Sequence, residues 1–88
     1  MTSEPPKIEF PCDYPIKILG DNHASFTDRV VAVVRRHAPE LLDEKVSCRE
    51  SRNGNYISVT VVIRAEGEEQ LKRLHNELKS DQWVRLVL

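Results

Sequence analysis

The chain has 88 residues, with 13 basic and 14 acidic side chains and a formal net charge of −1. This length suits one domain with a modest core, and the balanced charge argues against a general nucleic-acid binder, which needs a broad positive field. Cys12 and Cys48 lie far apart in the sequence, as is typical of reduced thiols in a cytosolic protein. A single disulfide bond between them is the alternative. No apolar run could span a bilayer or form a signal peptide. We therefore expect a soluble, cytoplasmic protein.

Residues 1–9 are polar and contain prolines, which predicts a disordered tail before a single domain over residues 10–88. Alternation of Tyr14, Ile16 and Ile18 predicts a first strand that ends at the polar residues 20–22. Ser25, with an acidic residue three positions later, resembles a capping box. The helix that it starts carries one apolar face, and Pro39 ends it. That face is formed by Phe26, Val30, Val33, Val34 and His37.

Asn53 and Gly54 form the centre of a predicted β-hairpin over residues 46–65, because both tolerate the positive φ angles of a tight primed turn. Val46 and Cys48 share one face of the hairpin's first strand, and we expect both to face the core. Its second strand alternates strictly, with one continuously apolar face. That apolar face comprises Ile57, Val59, Val61, Ile63 and Ala65.

Gly67 and two glutamates precede a second amphipathic helix, whose inward stripe is predicted to be Leu71, Leu74, His75 and Leu78. A last strand covers residues 83–88. If Val84, Leu86 and Leu88 face the core, the alternate residues emerge on the opposite face of the sheet, which carries no helix. Those alternate residues are Trp83, Arg85 and Val87.

The resulting order is strand, helix, strand, strand, helix, strand, which is the split βαβ arrangement of ferredoxin-like domains. We expect an α+β two-layer sandwich, with two helices on one face of a four-stranded antiparallel sheet. Proteins of this fold differ widely in activity, so the order of elements does not select a function.

No residue pattern predicts catalysis, and we expect a non-enzymatic protein without metal or cofactor. The two cysteines lack the spacing of metal ligands, and His23, His37 and His75 lie at helix starts or on helix faces, where packing or capping roles are commonest. An acylphosphatase-like phosphate loop is disfavoured, because the loop after strand one offers only one glycine, Gly20, and the charge of the next residue, Asp21, would repel a phosphate.

The face of the sheet without helices predicts an interaction surface. RNA binding there is one hypothesis, although paired aromatic residues on the central strands are absent. Packing of Val62, Trp83 and Val87 against a second copy, giving a homodimer, is the other reading. The residues that would contact a partner or supply charge on this face and at the hairpin tip are Arg49, Arg52, Arg64, Trp83 and Arg85.

Several separated motifs resemble the YbeD family of small bacterial proteins over about residues 10–88. They are Phe10-Pro11, the run from Arg36 to Pro39, the run from Gly54 to Tyr56, and the terminal Val84–Leu88. The resemblance implies a fold similar to the ACT-like regulatory domains of amino-acid biosynthetic enzymes. It also implies a link to lipoate metabolism, because the founding member's gene lies near lipoate-attachment genes.

ACT domains bind small effectors, usually amino acids, with the loop after strand one. The positions of this chain that match that loop are Gly20, Asp21, Asn22 and His23. The acidic residue followed shortly by proline-glycine, which completes the ACT loop pattern, is absent here. The resemblance therefore implies a regulatory or protein-interaction module, with a small effector or a protein partner as its ligand.

Overall fold

The computed structural model describes residues 9–88, so the predicted tail lies almost entirely outside the described residues. The elements are β1 (Cys12–Asp21), α1 (Phe26–His37), a 3-10 turn (Asp43–Lys45), β2 (Val46–Glu50), β3 (Tyr56–Ala65), α2 (Glu68–Lys79) and β4 (Val84–Val87). The strands form one antiparallel sheet in the order β2-β3-β1-β4. This architecture confirms the predicted ferredoxin-like sandwich.

The β1–β3 ladder forms the centre of the sheet and fixes which residues share a face. It runs without interruption from the pair Cys12–Ala65 to the pair Asp21–Tyr56. Ile16 and Ile18 are fully buried, as are the residues opposite them. Because side chains alternate along a strand, the intervening residues lie on the other face, which we call the open face. Lys17, Ser58, Thr60, Val62 and Arg64 lie there as predicted.

Both helices bury the apolar residues of the predicted stripes, whereas the two histidines assigned to those stripes, His37 and His75, are only partly buried. The buried helical residues are Phe26, Val30, Val33, Val34, Leu71, Leu74 and Leu78. The capping box is wrong: the side chain of Ser25 makes no cap bond, and its backbone amide instead donates to Nδ1 of His23 at 3.1 Å. At the far end of α1, His37 Nε2 lies 2.8 Å from Glu77 Oε1 and ties the helices together.

The hairpin is confirmed, but its predicted turn type is wrong. Only Gly54 has a positive φ, of 73°, whereas a type I′ turn needs two such residues. The amide of Ser51 donates to Tyr56 O at 2.8 Å, and that of Gly54 donates to Ser51 O at 3.0 Å. Residues 52–55 therefore form a longer loop, in which Gly54 alone adopts the left-handed conformation.

The predicted faces of Leu86, Val87 and Leu88 are wrong, because β4 contains a β-bulge. Gly20 pairs with Val84, whereas Leu19 pairs with Leu86, so Arg85 is an extra residue. The bulge reverses the alternation: Val87 packs against the core, and Leu86 and Leu88 are 47% and 63% exposed instead of buried. Leu86 lies on the open face opposite Leu19.

Cys48 is exposed, contrary to the prediction of a core position. It lies opposite Val59, which is completely buried, and so points to the same face of the sheet. The difference arises because β2 is an edge strand, of which only Val46 packs against the core. Alternation therefore identified the face correctly but not the extent to which the helices cover it.

We expect Gly20→Ala to destabilise the fold by about 2 kcal/mol or more, since overpacked positions have costs of this size. A Cβ at Gly20 would lie 2.3 Å from the Phe26 ring and 2.4 Å from the backbone oxygen of Trp83. Gly67→Ala is the matched control, because nothing lies within 4 Å of its Cβ position. Urea unfolding measures both, and equal stability of the two variants would contradict the packing at Gly20.

His75, on α2, has a buried Nε2 without a hydrogen-bond partner among the described residues. Burial, and then the charge of Lys79, lowers the pKa of this imidazole. The unfolded chain therefore binds a proton at His75 more readily than the folded chain does. Stability consequently rises with pH across the window between this lowered pKa and about 6.5, the ordinary value.

We expect His75→Gln to reduce the loss of stability when the pH falls from about 7.5 to 5, because glutamine does not titrate in this window. Thermal melts of both proteins across that range measure the difference. Parallel stability profiles of the two proteins would show that His75 does not contribute to the pH dependence of folding stability.

Candidate functional site

Three connections meet at one end of the sheet, and we call this region the loop junction. They are residues 22–25 after β1, residues 51–55 of the hairpin, and residues 80–83 before β4. The amide of Asp21 donates to Trp83 O at 3.0 Å, and that of Asn22 donates to Asn55 O at 3.1 Å. The connection after β1, which the family resemblance matches to the effector loop of ACT domains, is thus hydrogen-bonded to both of the other connections.

Asp21 and Arg85 form a two-point ion pair at the loop junction. Arg85 Nε donates to Oδ1 of Asp21 at 3.0 Å, and Nη2 donates to Oδ2 at 3.2 Å. The hydrogen bond and then the charge of Asp21 raise the pKa of Arg85. Both side chains remain accessible, at 35% and 60% exposure for Asp21 and Arg85. The bulge in β4 positions Arg85 for this contact.

Asn22 attaches the loop after β1 to the hairpin. Its side-chain amide donates to Gly54 O at 2.8 Å, beside the backbone bond to Asn55. Gly20, by contrast, is buried and has no space around its α carbon. Of the four residues predicted to bind an effector, Gly20 therefore shapes the backbone, while the other three present polar groups.

His23 and Trp83 stack at the junction, with ring centroids 3.9 Å apart and planes inclined by 23°. The guanidinium of Arg29, on α1, lies 4.2 Å from the centroid of the same indole, within the range of a cation–π contact. Trp83 therefore packs beside α1 and not on the open face as predicted. A turn causes this, since the Trp83 amide donates to Oδ1 of Asp81 at 2.9 Å.

Asp81 fixes the position of that turn relative to α1. Arg29 donates to its Oδ2 from Nε at 3.1 Å and from Nη2 at 2.8 Å. Burial alone would raise the pKa of Asp81, but the Trp83 amide and the Arg29 guanidinium together lower it. No sequence pattern pointed to Arg29, whose partner lies 52 residues away. Asp81 is a typical turn residue, but its role was also missed.

The arginines proposed for RNA binding do not form one surface. Arg49 and Arg52 lie near the hairpin, whereas Arg64 lies six residues from Ser58 along β3, about 20 Å away at the usual strand rise. Arg85 is held by Asp21. RNA binding stays a prediction, and the arginines that would supply its positive charge are separated along the sheet.

Metal binding and membrane crossing each have a recognisable structural signature. No group of three or more His, Cys, Asp or Glu side chains within residues 9–88 is arranged to hold a metal ion. Within the same range, neither helix has the length and apolar character required to cross a membrane.

A family model described as "Protein of unknown function (DUF493)" matches residues 5–88. A UPF0250 protein of Pseudomonas paraeruginosa is 48% identical over 86 residues, covering 97% of this chain and 92% of that protein. A UPF0250 protein of Azotobacter vinelandii is 50% identical over 84 residues, covering 94% and 91%. UPF0250 is the YbeD family, so the resemblance is confirmed.

Solved structures support the same fold. A protein from H. pylori, determined in solution, matches with a TM-score of 0.74 at 15% identity, covering 98% of this chain and 90% of that one. The ACT domain of a GTP pyrophosphokinase from Chlorobium tepidum matches with a TM-score of 0.66 at 17% identity, covering 86% and 84%. The fold is therefore ACT-like, as expected.

We expect Asp81→Asn to destabilise the fold at neutral pH by about 1 to 2 kcal/mol, because it removes a charge-assisted hydrogen bond. A lowered carboxyl pKa stabilises the folded state above the unfolded value, and this stabilisation is lost as the pH falls through the folded value. The difference from the wild type should therefore disappear in strong acid. Urea unfolding at neutral and acidic pH measures this difference in stability, and Glu69→Gln, at an exposed position, is the control. A difference that persists in acid would contradict the role of the Asp81 charge.

Proposed function

This chain belongs to the DUF493 family of proteins of unknown function, and we propose that it is a non-catalytic ACT-like regulatory module that binds a small zwitterionic effector at the loop junction. The observation that carries this proposal is the exposed ion pair between Asp21 and Arg85. It lies where the loop after β1 begins, at the position of the loop that ACT domains use for effectors. The lipoate link implied by the YbeD resemblance remains a prediction about the metabolism concerned.

The pair presents the two charges that an amino acid needs. A carboxylate can replace Asp21 on the guanidinium of Arg85, while an ammonium group can replace Arg85 on the carboxylate of Asp21. An exposed ion pair contributes at most about 1 kcal/mol, so opening it has a small free-energy cost. The geometry therefore suits exchange of an internal pair for the two ends of a ligand.

The bonds around this pair provide a route from ligand binding to conformational change. The residue after Asp21 bonds to the hairpin, and the next one, His23, stacks on Trp83 in the turn before β4. Arg29 connects that turn to α1. A ligand that moves Asp21 acts directly on three connections, which is the property that a regulatory module requires.

We expect at least one of the twenty standard amino acids, tested singly, to give a saturable change in the fluorescence of Trp83, the only tryptophan. NMR titration should place the shifts at Asp21, Asn22 and His23. Asp21→Asn and Arg85→Gln should each abolish the response, because each removes one of the two charges that hold the ligand.

The matched controls are Glu69→Gln and Arg73→Gln, which break another exposed ion pair on α2 and should leave binding unchanged. Thermal melts verify that every variant is folded. The proposal fails if no amino acid gives a saturable change, or if the Asp21 and Arg85 variants bind as the wild type does.

A further inference from the structure

The open face carries positive charge that the described part of the chain does not neutralise. At one end Asp21 holds Arg85, and at the other Asp13 lies opposite Arg64. Between these ends, Lys17 and Arg49 form no ion pair with any carboxylate of residues 9–88, and neither does Arg52 on the hairpin. The net charge of the whole chain is −1, so this concentration of cations is local.

The sheet register brings Lys17 and Arg49 towards the same space. Ser58 lies between Arg49 and Leu19, and Thr60 lies between Ser47 and Lys17. Lys17 and Arg49 are therefore diagonal neighbours across β3, with α carbons about 12 Å apart from the usual strand spacing and rise. Two adjoining concavities, of 600 and 420 Å³, are both lined by Lys17, Arg49 and Ser58.

The chemistry of this space suits an oxyanion. Lysine and arginine supply charge-assisted donors, and the floor carries two hydroxyls: that of Thr60, and that of Ser58, which in this structure donates to the backbone oxygen of Arg49 at 3.3 Å. Leu19 and Leu88 form an apolar wall of the larger concavity, and apolar walls beside charges of one sign focus the electric field on a ligand. Glu50 is the only acidic side chain along these two concavities, against three cationic side chains.

We propose that the centre of the open face is a binding site for a small molecule carrying a phosphate or carboxylate group, held between Lys17 and Arg49 above the hydroxyl of Ser58. The volume lies within the range of about 300 to 1,000 Å³ of small-ligand pockets. The residues stand on three neighbouring strands, so the sheet holds their backbones in position. The three central residues of this site, Lys17, Arg49 and Ser58, lie outside the loop junction, although Ser51 and Arg52 of the hairpin also line the larger concavity. The proposal does not rest on the function proposed above.

The test is an amide NMR titration of the full chain with sodium phosphate, and in a second arm with sodium acetate, against sodium chloride at the same ionic strength. We expect saturable shifts at Lys17, Arg49, Ser58 and Thr60 with phosphate or acetate but not with chloride. The arm that binds more tightly identifies the oxyanion. Equal responses to all three salts would show charge screening only and would overturn the proposal.

Lys17→Gln and Arg49→Gln should each weaken binding about fivefold or more, because each removes one charged donor. Arg64→Gln is the matched control on the same face and should bind as the wild type does. Loss of affinity in all three variants alike would indicate a diffuse field instead of a site.

A parallel arm uses short single-stranded RNA. Binding of RNA with an affinity that Arg64→Gln and Lys17→Gln reduce equally, and no saturable response to either small anion, would assign the face to nucleic acid and overturn the proposal. Light scattering on the same samples tests whether the protein forms a dimer. A dimer in which the open-face amides are buried and unresponsive to both anions would also overturn it.

Discussion

Gly20 allows the Phe26 ring and the Trp83 carbonyl to approach β1 more closely than any side chain would permit. Glycine within a strand commonly marks a bulge or a close approach of another backbone, and both occur here. The register between β1 and β4 shifts between Leu19 and Gly20, leaving Arg85 as the extra residue. The loop junction depends on this shift, because it places Arg85 beside Asp21. The same shift exposes Leu86 and Leu88.

The two proposed sites differ in how strongly the fold holds them. The oxyanion site stands on paired strands, with Lys17 and Ser58 within the ten-residue ladder of β1 and β3. The loop junction depends instead on exposed contacts, namely the Asp21–Arg85 pair and the His23–Trp83 stack. Contacts of this kind have small individual free energies. A rigid face and a loosely held loop in one domain are consistent with a module that responds to a ligand at its loops.

Hydrophobic periodicity predicted the elements because the core follows it closely: the buried faces of β3 and of both helices are those that the spacing indicates. The errors arise where a feature has no local signal. The bulge at Arg85 reverses which residues of β4 face the core after that point, and no pattern in residues 84–88 predicts the bulge. Cys48 alternates correctly but lies on an edge strand, a property of strand order. For the candidate site, Asp21 to His23 were identified by resemblance, whereas Arg29 and Asp81 meet only through the tertiary fold.

The strand register at β4 decides whether the Asp21–Arg85 pair of the proposed effector site forms as described, and NMR contacts across β1 and β4 measure this register directly. In the bulged register, Leu19 lies opposite Leu86 and Ile18 opposite Val87. Strong cross-strand contacts between these two pairs, together with weak contacts from Ile18 to Leu86, are the result that we expect. A regular register would place Leu86 opposite Ile18 and Arg85 opposite Leu19. Contacts in that pattern would remove the bulge and contradict the structural basis of the proposed effector site.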